Sequence, residues 1–277
     1  MLDGTVEHRM QRSQGAAFVS FRLAGGMPRL ADLAQSGSAK VMLPRHDGPV
    51  PEVVFLNTSG GLTGGDGLSY RVDVGAGCRV LATTQTAERG YASLGDAALI
   101  RVQAQVGAGG RLDWLPQETL IYEASHLVRR IEIDLAADAQ CLLAESVVLG
   151  RQAMGEVPRS ARLLDHRMIR REGRPVWAET FRLDPAVLAN SSPVLLAGAK
   201  AFAVVALVAH GAQDGVGPLR NLPAVDGCQY AVSGWDGRCL VRLTAVSGWP
   251  LRLQLAGILR VLTGRNLPRV WQSGGIS

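Results

Sequence analysis

Aromatic residues make up only 5% of this 277-residue sequence. That scarcity excludes a base-stacking platform for single-stranded nucleic acid, which needs a row of exposed rings. Lysine is nearly missing: 27 of the 29 basic residues are Arg. The few cysteines, Cys78, Cys141, Cys228 and Cys239, show no CxxC spacing. Five scattered histidines form neither HExxH nor a His/Cys cluster, which excludes the common closed transition-metal cages. No GxSxG nucleophile elbow occurs. The longest apolar run, Val194 to Ala209, contains Lys200 and is too short for a membrane span. Met1 to Met10 carries Asp3, Glu7 and Arg9 without an apolar stretch, so no signal peptide is expected. The chain therefore reads as cytoplasmic, with reduced thiols.

What is present is ordinary globular material, 47% hydrophobic and 19% charged with a net charge of +5. The length supports a substantial core, and no flexible linker interrupts it, so one domain over 1–277 is expected. The most informative stretch is Asn57-Thr58-Ser59-Gly60-Gly61-Leu62-Thr63-Gly64-Gly65-Asp66-Gly67. A phosphate-binding loop would need Lys after its last glycine and a helix to follow. Here Asp66 stands instead, its charge repels phosphate, and a strand follows. On these residues alone the loop is either a carboxylate aimed from a rigid element or a tight glycine-rich turn.

Period-two alternation dominates the first two thirds. Tyr70, Val72 and Val74 alternate with Arg71 and Asp73, and Gly75-Ala76-Gly77 turns the chain. Ile100 to Val106, Ile131 to Leu135 and Ala161 to Arg171 repeat the arrangement, each followed by a turn and a returning strand. The units recur about every 30 to 40 residues, the mark of stacked supersecondary units sharing one core. The predicted fold is mainly β, with stacked β-hairpins in a β-helix or solenoid-like arrangement. About two helices are expected, a short turn at Ala186 to Ala189 and a longer one at Pro250 to Thr263 near the C-terminus, with Gly264 as its stop. Strands are expected at Tyr230 to Val232 and Leu240 to Ala245. The returning strands end near Gln85, Gln117-Glu118, Glu145 and Glu179, which a common register would set along one edge. Polar strand ends alone would produce the same pattern.

No nucleophile lies beside an obvious base. Glu118 and Glu145 are a conceivable glycosidase pair on a β-solenoid, but the five tryptophans are too dispersed for a sugar platform. The segment Pro158 to Pro175 carries six Arg with Asp165 and Glu172. A solvated basic face is the simplest reading, and an acidic protein partner meeting Arg167 and Arg170 is the next. Asp66, Glu145 and Glu179 suit the transient handling of a divalent metal, because oxygen ligands on rigid strands attract an ion and release it. Ordinary surface acids have the same composition.

Together these segments resemble the urease accessory protein family UreD, also called UreH. Asn57 to Asp66 is similar to its Gly-Gly-Asp signature. Thr83-Thr84-Gln85-Thr86 with Tyr91 is similar to its next block, and Trp114 to Tyr122 to its Leu-Pro-Gln block. Glu145 to Glu156 is similar to its Glu–Gly-Arg–Gly-Glu block, and Leu267 to Trp271 to its C-terminal end. Glu88-Arg89-Gly90 departs from the family pattern: Arg89 stands where Lys is usual, and Gly90 and Ala92 are atypical.

The resemblance implies a non-catalytic cytoplasmic scaffold that binds apo-urease subunits and recruits UreF and, through it, the GTPase UreG. It implies nickel delivery through a polar passage, with no tightly bound cofactor, only transient nickel. A dimer of heterocomplexes with UreF and UreG is expected, with no nucleic acid and no membrane. Asp66, Glu145 and Glu179 are the transient nickel-relay candidates. Arg151, Glu156, Gln85 and Gln117 are further passage or structural candidates. The alternatives are a β-solenoid adaptor without a metal role, and a polysaccharide-active β-solenoid enzyme.

Overall fold

The computed structural model describes residues 11–45, 48–190, 192 and 196–272. The chain opens with β1 (Gln14–Ala24), β2 (Met27–Gly37), β3 (Ala39–Met42) and β4 (Glu52–Asn57). Two repeating units follow: β5 (Gly67–Val74), β6 (Arg79–Thr84) and β7 (Glu88–Gly90), then β8 (Ala98–Val106), β9 (Arg111–Trp114) and β10 (Thr119–Ile121). Next come β11 (His126–Leu135), β12 (Gln140–Leu149), β13 (Arg162–Arg171), β14 (Arg174–Leu183) and the short α1 (Pro185–Leu188). The last part holds β15 (Ala201–Val208), α2 (Val216–Arg220), β16 (Cys228–Trp235), β17 (Arg238–Ala245), α3 (Gly248–Thr263) and α4 (Arg269–Gln272).

The strands form two facing sheets. Sheet A runs β14-β13-β11-β8-β5-β1-β2, and sheet B runs β16-β17-β15-β12-β9-β6-β4-β3, with β10 and β7 added beside β12. Within sheet A, β1, β5, β8, β11 and β13 are parallel neighbours. Within sheet B, so are β4, β6, β9 and β12. This is the mainly β solenoid that the sequence predicts.

Its units differ in one respect from stacked hairpins. The two arms of a unit do not bond to each other: β5 lies in sheet A and β6 in sheet B, and each pairs with the equivalent arm of the next unit. The Gly75-Ala76-Gly77 and Gly107-Ala108-Gly109-Gly110 segments are therefore corners crossing from sheet to sheet. Glycine is required there because corners stack on one another. A Cβ on Gly107 would lie 2.8 Å from the Ala76 nitrogen, and one on Gly75 would lie 2.6 Å from the Phe21 carbonyl oxygen. The fourth unit is a true hairpin, Leu163 pairing with Leu183. Its turn residues Glu172 and Gly173 both have positive φ, 49° and 74°, the twist that closes two antiparallel strands directly.

Between the sheets lies an apolar core built from the alternating inward residues, including Val72, Val102, Leu112, Ile131, Leu143 and Ile169. A second core fills the space between sheet B and α3, whose Leu251, Leu255, Ile258, Leu259 and Leu262 are buried. The helix starts two residues before the expected Pro250 and stops at Gly264, which has φ 63°. Within the longest apolar run, Ala201–Val208 forms β15, each of whose residues is buried, while Val194 and Leu195 lie outside the described residues. No helix among the described residues is long and apolar enough to cross a membrane. All four cysteines are buried and free.

Candidate functional site

Burial strips water from charged groups, so a charge inside a core must be paired. Sheet parity places several charges inside this one. In β11 the inward set is Leu127, Arg129, Ile131, Ile133 and Leu135; in β13 it is Leu163, Asp165, Arg167 and Ile169. In β12 the inward set includes Cys141, Leu143, Glu145 and Val147. Arg129, Glu145, Asp165 and Arg167 consequently meet between the sheets, each no more than 4% exposed.

The Arg129 guanidinium reaches Glu145 at 2.5 Å and forms a two-pronged pair with Asp165. It also donates to Thr119 Oγ1 at 2.9 Å. Asp165 is shared with Arg167, which donates to Glu179 Oε1 at 3.0 Å. The other oxygen of Glu179 pairs with Arg242 at the surface. Trp114 Nε1 donates to Glu145 Oε1 at 2.9 Å. The network holds three acids and three arginines. Burial pushes the Glu145 carboxyl up, opposed in part by Arg129. Burial also works to raise Asp165, but Arg129 and Arg167 overcome it and hold that carboxyl below the usual range.

A second polar group lies inside the early turns. Both Glu88 oxygens accept from Asn57 Nδ2, at 3.1 and 3.2 Å. Burial pushes the Glu88 carboxyl up to about 7, against the Asn57 bond that lowers it. Burial and Glu88 together push the Tyr70 phenol up. Glu88 and Thr119 are register partners on parallel strands, so their side chains share a face. Thr119 bonds Arg129 in turn. From Asn57 through Glu88, Thr119, Arg129, Glu145, Asp165, Arg167 and Glu179 to Arg242, polar side chains follow the stacking direction from the first turn to the last. Phe55, Tyr70 and Trp114 flank this file as neighbouring rings, with centroids 4.6 and 5.9 Å apart.

Asp66 lies off the file. Its two oxygens accept from the backbone N–H of Ser13 at 2.7 Å and of Thr63 at 2.8 Å, tying the start of β1 to the glycine-rich loop. That loop packs closely on the following one. A Cβ on Gly61 would meet the Tyr91 ring at 2.4 Å, and one on Gly64 would meet Ser93 Oγ at 2.0 Å. The atypical Glu88-Arg89-Gly90 segment is β7, held by Leu62 on one side and β10 on the other.

Arg151 and Glu156 form a clamp. Glu156 pairs with the Arg151 side chain and accepts from the Glu123 N–H at 2.7 Å. Arg151 also covers the Tyr122 ring. Gln85 is exposed. Gln117 is buried on the α3 side, its Oε1 accepting from Arg252 at 2.7 Å. Glu118 pairs with the same Arg252 at 3.3 Å. The expected single edge is not formed: Gln117 and Glu118 meet α3 on one side of sheet B, Glu145 and Glu179 join the network on its other side, Glu179 from sheet A, and Gln85 is exposed outside the strands. Glu118 and Glu145 flank no common cleft, which removes the basis for the glycosidase pair.

The structure also corrects the basic segment. Arg167 does not lie on an exposed face; the parity of Leu163 and Ile169 turns it inward. Arg170 does lie on the outer face, paired with Glu132 at 3.3 Å and Asp134 at 3.8 Å. Sequence reasoning passed over Arg129, Asp165, Glu88 and Asn57 as site residues. For the first two the signal was present, because each shares the parity of flanking Leu and Ile residues. No cluster of three or more His, Cys, Asp or Glu able to hold a metal ion occurs among the described residues.

The UreD urease accessory protein family matches residues 13–272. A urease accessory protein UreD of Cereibacter sphaeroides is 56% identical over 264 residues, covering 95% of this chain and 96% of its own length. The protein of the same name from Paracoccus denitrificans is 48% identical, covering 98% and 96%. One from Rhizobium leguminosarum bv. viciae is 39% identical, covering 95% and 96%. These proteins are urease maturation factors rather than catalysts, and the chain belongs to the UreD family of urease accessory proteins.

Proposed function

We propose that this chain is the scaffold of urease maturation that binds apo-urease and recruits UreF and, through it, the GTPase UreG. In this reading two such heterocomplexes pair as a dimer, and nickel crosses the scaffold through its interior. The observation that supports a passage is the polar file from Asn57 to Arg242, which runs through an otherwise apolar solenoid.

The chemistry suits transfer rather than storage. A cage of carboxylates would retain a divalent ion, whereas conduction needs sites that attract and then release it. Here each acid of the main cluster already has an arginine. An arriving cation must displace a guanidinium to gain a carboxylate, and the returning guanidinium displaces the cation. Arg129, shared by Glu145 and Asp165, and Arg167, shared by Asp165 and Glu179, are placed for that exchange. Glu145 and Glu179 keep their relay role in this scheme, with Asp165 between them. Glu88 serves the entrance. Asp66 holds the loop around it, and Arg151, Glu156 and Gln117 hold the surrounding elements.

Co-expression with the cognate urease operon tests the scaffold role. The chain is expected to co-purify with UreF and UreG and, in their presence, with apo-urease. Urease activated by a chain that binds none of these would overturn it.

A further inference from the structure

The Glu145–Glu156 segment carries more than the buried acid and the arginine clamp. Since β12 turns Glu145 inward, the next residue, Ser146, faces outward toward α3. Ser146 is only 5% exposed, and its hydroxyl forms no hydrogen bond among the described residues. It lines a cavity of about 380 Å³ between the turn Gln152–Met154 and the start of α3. Gln152 lines the same cavity, and its Nε2 is buried without a partner among the described residues. Arg151 lines it too. Glu156 takes the Arg151 Nε, and the two Nη groups form no hydrogen bond among the described residues.

The remaining wall is the N-terminus of α3. Ser247 holds the capping position, but its side chain caps nothing, and the first turn contains no acid. A capping side chain bonds the second or third amide of a helix, and the third residue here is Pro250, which has none. Gly248 and Trp249 also line the cavity, and their amides have no acceptor among the described residues. All these groups donate, and they converge on one space. Orphaned donors call for an acceptor, and a helix N-terminus favours a negative one. The floor is apolar, made of Leu120, Val148 and Leu255, with Trp249 at the rim, 51% exposed. Glu118 lines the cavity further along, paired with Arg252 at 3.3 Å. Arg252 follows Gly248 by about 6 Å along the helix axis, a span of about two extended residues. Arg252 already neutralises Glu118, so a second cation there would compete with it, whereas a neutral N–H would not.

We infer that this cavity binds the C-terminal end of a polypeptide whose last side chain is apolar. The terminal carboxylate accepts from the Gly248 and Trp249 amides, Ser146 and Gln152, with Arg151 supplying the opposite charge. The last side chain lies on Leu120, Val148 and Leu255, and a preceding N–H donates to Glu118. Capture of a chain end by backbone amides is a known mode of recognition. Inorganic phosphate would meet the same amides but gain nothing from the apolar floor.

The test is fluorescence anisotropy of the full chain with N-terminally labelled alanyl-alanyl-leucine, as the free acid and as the C-terminal amide. The free acid is expected to bind at least about tenfold more tightly than the amide, and less tightly as salt rises. Ser146→Ala should weaken the free acid several-fold. Ser247→Asp supplies a capping carboxylate from within the chain. It should abolish binding of the free acid while raising the melting midpoint, which separates lost binding from lost fold. Free leucine and inorganic phosphate should each displace the labelled peptide at least about tenfold less well than acetyl-alanyl-alanyl-leucine. Equal binding of acid and amide would overturn the inference, as would no binding of the free acid at about 1 mM chain. Equal displacement by free leucine or by phosphate would also overturn it, by making the cavity a small-molecule site. So would wild-type binding by both the Ser146→Ala and the Ser247→Asp chains.

Discussion

Arg129→Met removes the guanidinium at the centre of the buried network and keeps much of its volume. Glu145 then loses its ion pair, and Asp165 is left with Arg167 alone. Removing one partner of a buried pair costs about 3–5 kcal/mol, because the charge left behind is uncompensated. Two acids share this guanidinium, which argues for the top of that range. Glu145, already pushed up by burial, can take up a proton, which brings the cost back toward about 3–4 kcal/mol at neutral pH. In a chain of this size about 1 kcal/mol corresponds to about 2–4 °C, so the melting midpoint should fall by roughly 10 °C. Tryptophan emission suits the assay, since Trp114 bonds Glu145 directly. Adding Glu145→Gln should recover part of the loss, because the orphaned carboxylate is then neutral. The deficit of the single variant should also shrink as pH falls and its acids protonate. A midpoint within about 2 °C of wild type would refute the reasoning, as would a deficit that ignores pH.

Two further predictions concern residues outside that cluster. Asp66→Ala leaves the Ser13 and Thr63 amides without an acceptor. It should cost about 1–3 kcal/mol and speed hydrogen exchange at both amides; unchanged protection there would show that Asp66 does not anchor the loop. Glu88 holds its proton more tightly folded than unfolded, its carboxyl lying at about 7 against an ordinary 4.5. The stability it contributes is therefore full below about pH 4.5 and is lost as pH rises through about 7. Glu88→Gln should abolish that decline and gain about 1–3 kcal/mol on wild type between pH 5 and pH 8. Parallel stability curves for the two proteins would contradict the burial of that carboxyl.

Much of the architecture was legible because alternation reports burial directly. Tyr70, Val72 and Val74 point inward as their spacing requires, and the Leu251–Leu262 stripe marks α3. Alternation does not say which strand pairs with which. A glycine-rich corner and a hairpin turn look alike in sequence, and only the distance between sheets separates them. The same limit applies to the site. Glu145 drew attention through the block around it. Arg167 was misplaced because six arginines in one segment suggest a wet face, although Leu163 and Ile169 turn it inward. Glu88 gave no such signal, since its burial depends on β7 lying beside β10, a contact between neighbouring turns.

The central claim is that nickel crosses the interior file of acids and arginines. The most direct measurement is the nickel content of urease matured in the presence of Glu88→Gln, Glu145→Gln and Glu179→Gln combined. Metal analysis gives the content, and gel filtration confirms that the accessory complex still assembles. The account predicts urease that carries several-fold less nickel despite an intact complex. Urease filled to the wild-type level by that variant would contradict it.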